Sequence, residues 1–282
     1  AGMSTQPQDW DAATYDRVSA DAQFLWALEQ LERLPLHGDE VVLDAGCGSG
    51  RVTAELVKRL PNGRVYGVDQ APSMVEHARR ALDERAVILE QELTQLELPE
   101  PVDVIFSNAT FHWIKDHDAL FAALARTLKP GGRLMAQCGG QGNIDRLRRV
   151  SDEVALRERP FAHHFAEWIG PWNYAAPEDT AKRLEAAGFT GVECWLEPKP
   201  VTPTDPHTFV KTVCLVRHLD YLPEELKDEF IDRVLERMAP ARAPLGILPR
   251  RIGARWRRPA PLVIEYVRLN MAGRRGSVHS EG

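Results

Sequence analysis

The stretch Val41-Val42-Leu43-Asp44-Ala45-Gly46-Cys47-Gly48-Ser49-Gly50-Arg51 constrains this chain more than any other. A short β-branched run suits a buried parallel strand, and it ends in an acid. Three alternating glycines follow. A helical pattern then starts, with Val52, Leu56 and Leu60 on one face. Glycines let the backbone turn sharply and approach a ligand closely. N–H groups at a helix start favour an anionic or polar ligand group. A dinucleotide site spaces its glycines G-x-G-x-x-G. Here the third glycine, Gly50, comes one place early, Arg51 takes its expected position, and Asp44 precedes the first glycine by two residues. The spacing therefore argues against a nicotinamide or flavin site. A glycine turn without a ligand is the remaining alternative, and the later segments argue against it.

Beyond the turn, strand and helix patterns alternate. Phe24, Leu25, Leu28, Leu31 and Leu34 space out as an amphipathic helix before the first strand. Val65 to Val68 is a second strand ending in Asp69, and Pro72 opens a helix towards Leu82. Ala86 to Leu89 and Val102 to Phe106 are further strands. Asp116 is placed to cap a helix with Leu120, Leu124 and Leu128 on its apolar face. Lys129-Pro130-Gly131-Gly132 breaks that helix, and Arg133 to Cys138 is a fifth strand. This rhythm predicts an α/β fold with a doubly wound parallel sheet. After Gly139 it changes. Residues 143–157 read as helix and 158–175 as irregular and aromatic-rich. Pro177 opens a helix ending at Gly188, and 192–197 alternate as a sixth strand. Helices open at Asp205-Pro206 and Pro223-Glu224, the second with Leu226, Phe230, Val234 and Met238 on one face. Residues 262–272 read as a last strand. The expected organisation is an N-terminal helical cap over 1–38 and a ligand-binding core over 39–138. The rest of the sheet follows over 139–272, with insertions at 139–176 and 200–260 forming a lid and acceptor pocket. A frayed tail over 273–282 ends the chain.

The D-x-G-x-G-x-G form at 44–50 resembles the first motif of class I S-adenosylmethionine-dependent methyltransferases. Asp69, 23 residues after Gly46, Glu92 after the third strand, Ser107-Asn108 after the fourth and the Pro-Gly-Gly turn keep the order of that family. The resemblance implies a Rossmann-like, seven-stranded, mostly parallel sheet. It also implies S-adenosylmethionine as cofactor and S-adenosylhomocysteine as product. Asp44, Ala45, Gly46, Gly48, Gly50, Asp69, Gln70, Met74, Glu92, Leu93 and Asn108 are the candidate cofactor residues. An acid at Asp69 can accept from both ribose hydroxyls, or simply cap the helix at Pro72. In the family an acid at the position of Glu92 takes the adenine amino group, and the next N–H, that of Leu93, meets the ring. Aspartate is usual there; Glu92 is one methylene longer, and a surface glutamate is common. Asn108 should line the methionine end. Met74 packs either on adenine or in the core.

Branch marks narrow the acceptor. The segment after the fourth strand, Ser107-Asn108-Ala109-Thr110-Phe111-His112-Trp113, lacks the N/D-P-P-Y/F motif of amino-methylating DNA enzymes. It also lacks the Pro-Cys nucleophile of cytosine C5 enzymes, so a nucleic-acid acceptor is not expected. With Trp10, Tyr15 and Pro171-Trp172-Asn173-Tyr174, this segment resembles small-molecule methyltransferases of the trans-aconitate and juvenile hormone acid kinds, over most of residues 10–200. The resemblance implies that Gln23 and Trp113 hold a substrate carboxylate, since both can donate to an anion. Trp10, Tyr15 and Trp172 join them as candidate substrate residues. The trans-aconitate enzymes often carry Gln where this chain has His112, so their substrate does not transfer directly.

A carboxylate is ionised at pH 7 and needs no base, whereas a hydroxyl or amine does. His112, the candidate catalytic residue, either orients a carboxylate or acts as base on a hydroxyl; a structural histidine is the alternative. Phe161, Phe165, Trp168, Trp172 and Tyr174 either line an apolar acceptor pocket or pack the insertion. The arginines at 250–258 form either a solvated loop or an anion-receiving entrance. His163-His164 lacks helical ligand spacing and Asp116 reads as a cap, so no metal is expected.

Bulk properties set the remaining limits. The net charge of −6 disfavours sequence-independent nucleic-acid binding. Four cysteines at 47, 138, 194 and 214 form no C-x-x-C pair and suit a reducing, cytoplasmic setting. No apolar stretch approaches the ~18 residues of a membrane span, the start is not signal-like, and Ala1-Gly2 before Met3 reads as a cloning scar. A monomer or homodimer is expected. Carboxylate O-methylation is the leading activity. Hydroxyl, nitrogen or carbon methylation, or a non-catalytic cofactor-binding protein on the same scaffold, are the alternatives.

Overall fold

A computed structural model describes residues 22–239 and 261–276. They divide into two compact units, one of 22–143, 170–199 and 266–276 and another of 144–169, 200–239 and 261–265.

The first unit is built on seven strands: β1 (Val41–Ala45), β2 (Arg64–Asp69), β3 (Val87–Glu90), β4 (Val102–Asn108), β5 (Leu128–Gly139), β6 (Phe189–Pro198) and β7 (Val267–Arg275). Their order is β3-β2-β1-β4-β5-β7-β6. The first five run parallel and β7 is antiparallel to both of its neighbours. Strand order reverses between β1 and β4, and in such sheets that crevice receives the ligand. The turn after β1 and the residues after β4 therefore flank it.

Alternating side chains feed two cores. Val42, Val65, Ile88, Val104 and Phe106 meet α1 (Ala22–Glu32), α2 (Arg51–Arg59) and α3 (Pro72–Leu82) through Ala27, Leu31, Leu56, Val75, Ala78 and Leu82. Leu43, Val68, Ile105, Leu134, Leu269 and Met271 meet α4 (His117–Thr127) and Leu184 of the helix Pro177–Ala186. Both faces are covered, so β1 reads as an unbroken apolar run rather than an alternating one. Asp116 caps α4 as expected, its Oδ1 accepting from Ala119 N at 2.9 Å.

Three expectations change. The helix α1 packs in the core beside β1 rather than forming a separate cap, and its inward face is Trp26, Ala27, Gln30 and Leu31. Leu25, expected inside, is 55% exposed, while Phe24 carries the Arg51 guanidinium at 4.3 Å. Gly273 to Arg275, expected in a frayed tail, pair with β5 and β6 and so belong to the sheet. Finally, β7 begins at Val267, not at residue 262.

The second unit holds α5 (Asp145–Arg157), short helices α7 (Pro206–Phe209) and α8 (Val216–Leu219), and α9 (Glu224–Met238); α6 (Pro177–Ala186) lies in the first. Its 144–169 segment is shorter at both ends than the expected 139–176 insertion. Phe161, Phe165 and Phe230 are fully buried, with Phe165 stacked on Tyr221 and Phe230 at 5.5 and 5.7 Å. Ile231, Val234 and Met238 complete the buried face of α9, and Leu226 is only half-buried. Trp10, Tyr15 and the arginines at 250–258 lie outside the described residues, as does the end of the chain from 277.

The third glycine of the turn serves packing. Gly50 has φ +87°, and a Cβ there would lie 3.1 Å from Ala78 Cβ and 3.3 Å from Ala78 Cα on α3. Gly50→Ala must strain the left-handed backbone and push α3 away. We expect a loss of about 2 kcal/mol or more, seen as a lower urea midpoint with an unchanged m-value.

Candidate active site

The turn after β1 is locked by the end of β2. Gly46 N and Cys47 N both donate to Val68 O, at 2.8 and 3.0 Å, and Gly50 N donates to Cys47 O at 3.0 Å. Gly48 N donates to Asp69 Oδ2 at 3.0 Å. Four of the loop's amides thus have acceptors inside the chain. Gly46 leaves no room for a side chain, since a Cβ there would lie 2.1 Å from Thr110 Oγ1. Gly48, at φ +53°, differs: a Cβ there would meet nothing within 4 Å. The open flank of the loop is at Gly48.

Acids surround that flank. Asp44 is buried on β1, and its Oδ2 accepts from Thr53 Oγ1 of α2 at 2.7 Å. Burial raises its pKa to about 7 against the Thr53 bond, and Asp69 adds to the rise. Asp69 Oδ1 accepts from Ala71 N at 2.9 Å, just ahead of α3, whose first turn has no side-chain cap, so one carboxylate holds both this turn and the Gly48 amide and does not cap the helix. Burial raises its pKa as well, and pushes the Cys47 thiol up. Among the described residues neither acid has an ion-pair partner. Ala45 is fully buried and its carbonyl accepts from Ser107 Oγ at 2.6 Å. Asn108 donates from Nδ2 to Gln23 O at 3.2 Å, while its buried Oδ1 has no partner among the described residues. Asp44, Asp69 and Asn108 Oδ1 together form an acceptor-rich wall that a cationic, hydroxyl-bearing ligand would satisfy.

The remaining candidates divide. Gln70 is half-buried beside Asp69, Leu93 is buried, and Glu92 is exposed at the start of a 3-10 turn, Leu93–Gln95. Met74 is buried on α3. Gln23 opens α1, and it reaches Asn108 through its carbonyl.

At the acceptor end the chain stitches residues 112–115 to 170–174. Asn173 N donates to His112 O at 2.8 Å, and Asn173 Nδ2 to Lys115 O at 3.0 Å. Lys115 Nζ donates to Gly170 O and Trp172 O at 3.0 and 2.9 Å. Four rings gather as a result. His112 lies 5.0 Å from Trp113 and 5.8 Å from Tyr174, and Trp172 stacks on Tyr174 at 5.5 Å. The aromatic set read from sequence is therefore two sets. Trp172 and Tyr174 stand beside His112, whereas Phe161, Phe165 and Trp168 pack the second unit.

His112 is buried, and its Nδ1 accepts from Gly139 N at 3.2 Å. That bond places the ring proton on Nε2. Burial holds its pKa well below the usual value, and Arg268 and His117 lower it further. Arg268 went unnoticed in the sequence, although a charged residue inside the apolar run 262–272 was a signal.

Residues 43–136 match the family described as "Methyltransferase domain". A trans-aconitate 2-methyltransferase of Methylobacterium nodulans is 36% identical over 192 residues, 67% of each chain. The enzyme of the same name from an Azoarcus species is 41% identical over 166 residues, 58% of each. The solved structure of the YcgJ protein from Bacillus subtilis shares the fold at TM-score 0.58 and 16% identity, covering 90% of this chain and 99% of that one.

The Asp44 carboxyl gives a signed pH effect. Its folded-state pKa is raised, so its contribution to stability is present below about pH 4 and lost as pH rises through about 7. Asp44→Asn keeps an acceptor for Thr53 without the buried charge. Without ligand it should melt higher than the parent at pH 8, by roughly 3 °C or more, with the gap closing at pH 5. The stabilisation of the parent by S-adenosylhomocysteine should shrink in the variant. Thermal unfolding at both pH values, with and without that compound, reads all of this.

Proposed function

The chain belongs to the class I S-adenosylmethionine-dependent methyltransferases, and we propose that the group it methylates is a carboxylate of a small organic acid. When bound, S-adenosylmethionine supplies a methyl group already activated on a sulfonium, which an ionised acceptor oxygen can take without prior proton transfer. Asp69 would hold the ribose hydroxyls. Asp44 and Asn108 Oδ1 would receive the ammonium of the methionyl end beside Gly46, Gly48 and Ala45. Gln70, Glu92, Leu93 and Met74 would border the adenine.

One observation carries the choice of acceptor: the Gly139 N–H occupies His112 Nδ1. A base needs a free lone pair on the side of the substrate, and with Nδ1 so occupied the neutral imidazole would present the proton of Nε2 instead. A carboxylate can use that donor and needs no base; a hydroxyl would need what His112 lacks. Trp113, whose indole also donates, stands beside it, and Trp172 and Tyr174 shield the group from water. The two trans-aconitate 2-methyltransferases similar to this chain support the same acceptor class.

His112→Ala and His112→Gln test the reading. Losing one hydrogen bond to a charged group should lower kcat/KM on the acid by roughly 10–100-fold in the alanine variant. Glutamine, which restores a donor, should recover several-fold of it. A screen of acids, phenols and amines with labelled cofactor reads the acceptor class. Transfer only to phenols or amines, or near-parental turnover in both variants, defeats the proposal.

A further inference from the structure

The guanidinium of Arg268 lies on β7 at the carboxyl edge of the sheet. Asn108 of β4 is in register with Gln137 of β5, and Gln137 with Asn270 of β7. Paired residues point to the same face, and Arg268, two residues from Asn270, points there too. A row of polar side chains thus runs across one face, away from Asn108. It is bonded throughout: Gln137 Nε2 donates to Asn270 Oδ1 at 2.8 Å, and Arg268 Nε donates to Gln137 Oε1 at 3.3 Å. Trp26 of α1 lies against the guanidinium at 5.1 Å. Arg268 is 1% exposed, so its charge is poorly screened by water.

Arg268 is tied to the acceptor end through one residue. It stands directly opposite Gly139 in the β5–β7 ladder, and Gly139 N–H holds His112. Gly139 has no room for a side chain, since a Cβ there would lie 2.7 Å from Tyr174 Cε1. Arg268, Gly139, His112 and Tyr174 are therefore contiguous. The strands β4 and β7 are two spacings apart, so Arg268 lies roughly 10 Å across the sheet from the Asn108 position. That suits a charge that draws in and orients the acid without engaging the methionyl end. The in-register residue on the other side, Glu197, is engaged by Lys199 at 3.1 Å and by Asn270 at 3.4 Å.

We infer that Arg268 is the residue that selects an anionic over a neutral acceptor, a positioning residue acting through its field and through His112. The inference rests on the carboxylate reading above. It deepens that reading by naming the source of the positive charge. A buried cation raises the local anion affinity and disfavours protonation of the neighbouring imidazole, so His112 stays a neutral donor.

The experiment is calorimetric titration of S-adenosylhomocysteine-loaded protein with trans-aconitate and, separately, with its neutral trimethyl ester. The parent should prefer the acid. Arg268→Met should weaken the acid by about tenfold or more and leave the ester within twofold, whereas a general packing defect would weaken both. Affinity for S-adenosylhomocysteine should be unchanged. If the methionine variant does not fold, Arg268→Gln decides, because it keeps a hydrogen-bond donor and removes the charge: an acid-specific loss above about threefold supports the inference, and no loss overturns it. A parent that prefers the acid beside a folded Arg268→Met protein with equal preference overturns this inference alone. A parent that prefers the ester, or binds neither, overturns the carboxylate reading and this inference with it.

Discussion

The rest of the site depends on how the ends of β1 and β2 are tied together. Val68 O takes two amides of the turn and Asp69 takes a third. The turn is thereby fixed in depth and direction, and Asp69 is fixed in the same act. Because Gly46 and Gly48 spend their amides on the end of β2 and Gly50 spends its amide on Cys47 O, the loop's glycine amides do not form the array that holds a pyrophosphate. It offers acceptors instead, in Asp44, Asp69 and Asn108. A sulfonium ligand with an ammonium and a ribose diol complements that wall, and a phosphate does not. The early third glycine visible in the sequence has its physical reason here, since Gly50 exists for the close approach of α3.

Such a wall is costly without its ligand. A buried carboxylate with no cation beside it is destabilising, and the chain limits the cost at Asp44 with one hydroxyl and a pKa near neutrality. Rigidity elsewhere offsets the cost. Leu43, Ile105 and Phe106 are fully buried in the strands flanking the crevice, so Asp44 and Asn108 are carried on close-packed strands.

Much of this was legible from local patterns. The alternation through residue 139, the Asp116 cap and the acid at the end of β2 follow from periodicity and turn chemistry. Helix faces were less legible. The inward face of α1 includes Gln30, whose Nε2 donates to Ser107 O, and a hydrophobic count cannot anticipate a buried amide with a backbone partner. The acceptor end was least legible, because it draws on residues near 112, 139, 172 and 268, brought together only by the sheet. Trp172 was noticed as part of one aromatic run. That run is divided between the rings beside His112 and the core of the second unit, and sequence proximity carries no information on which side of the division each ring falls.

The neutral histidine and the buried arginine lead to one chemical conclusion. A general base becomes a cation when it works. Here that cation would form in a buried site, beside Arg268, on a ring whose other nitrogen is already committed to Gly139. Desolvation, like-charge repulsion and lone-pair occupancy all oppose proton abstraction. The same three facts favour an acceptor that arrives ionised. It would bring the negative charge that Arg268 is proposed to attract, and would meet a donor in His112 Nε2. Methylation would remove one negative charge, and with it part of the attraction to Arg268, so the charge proposed to draw the acid in would hold the product less tightly.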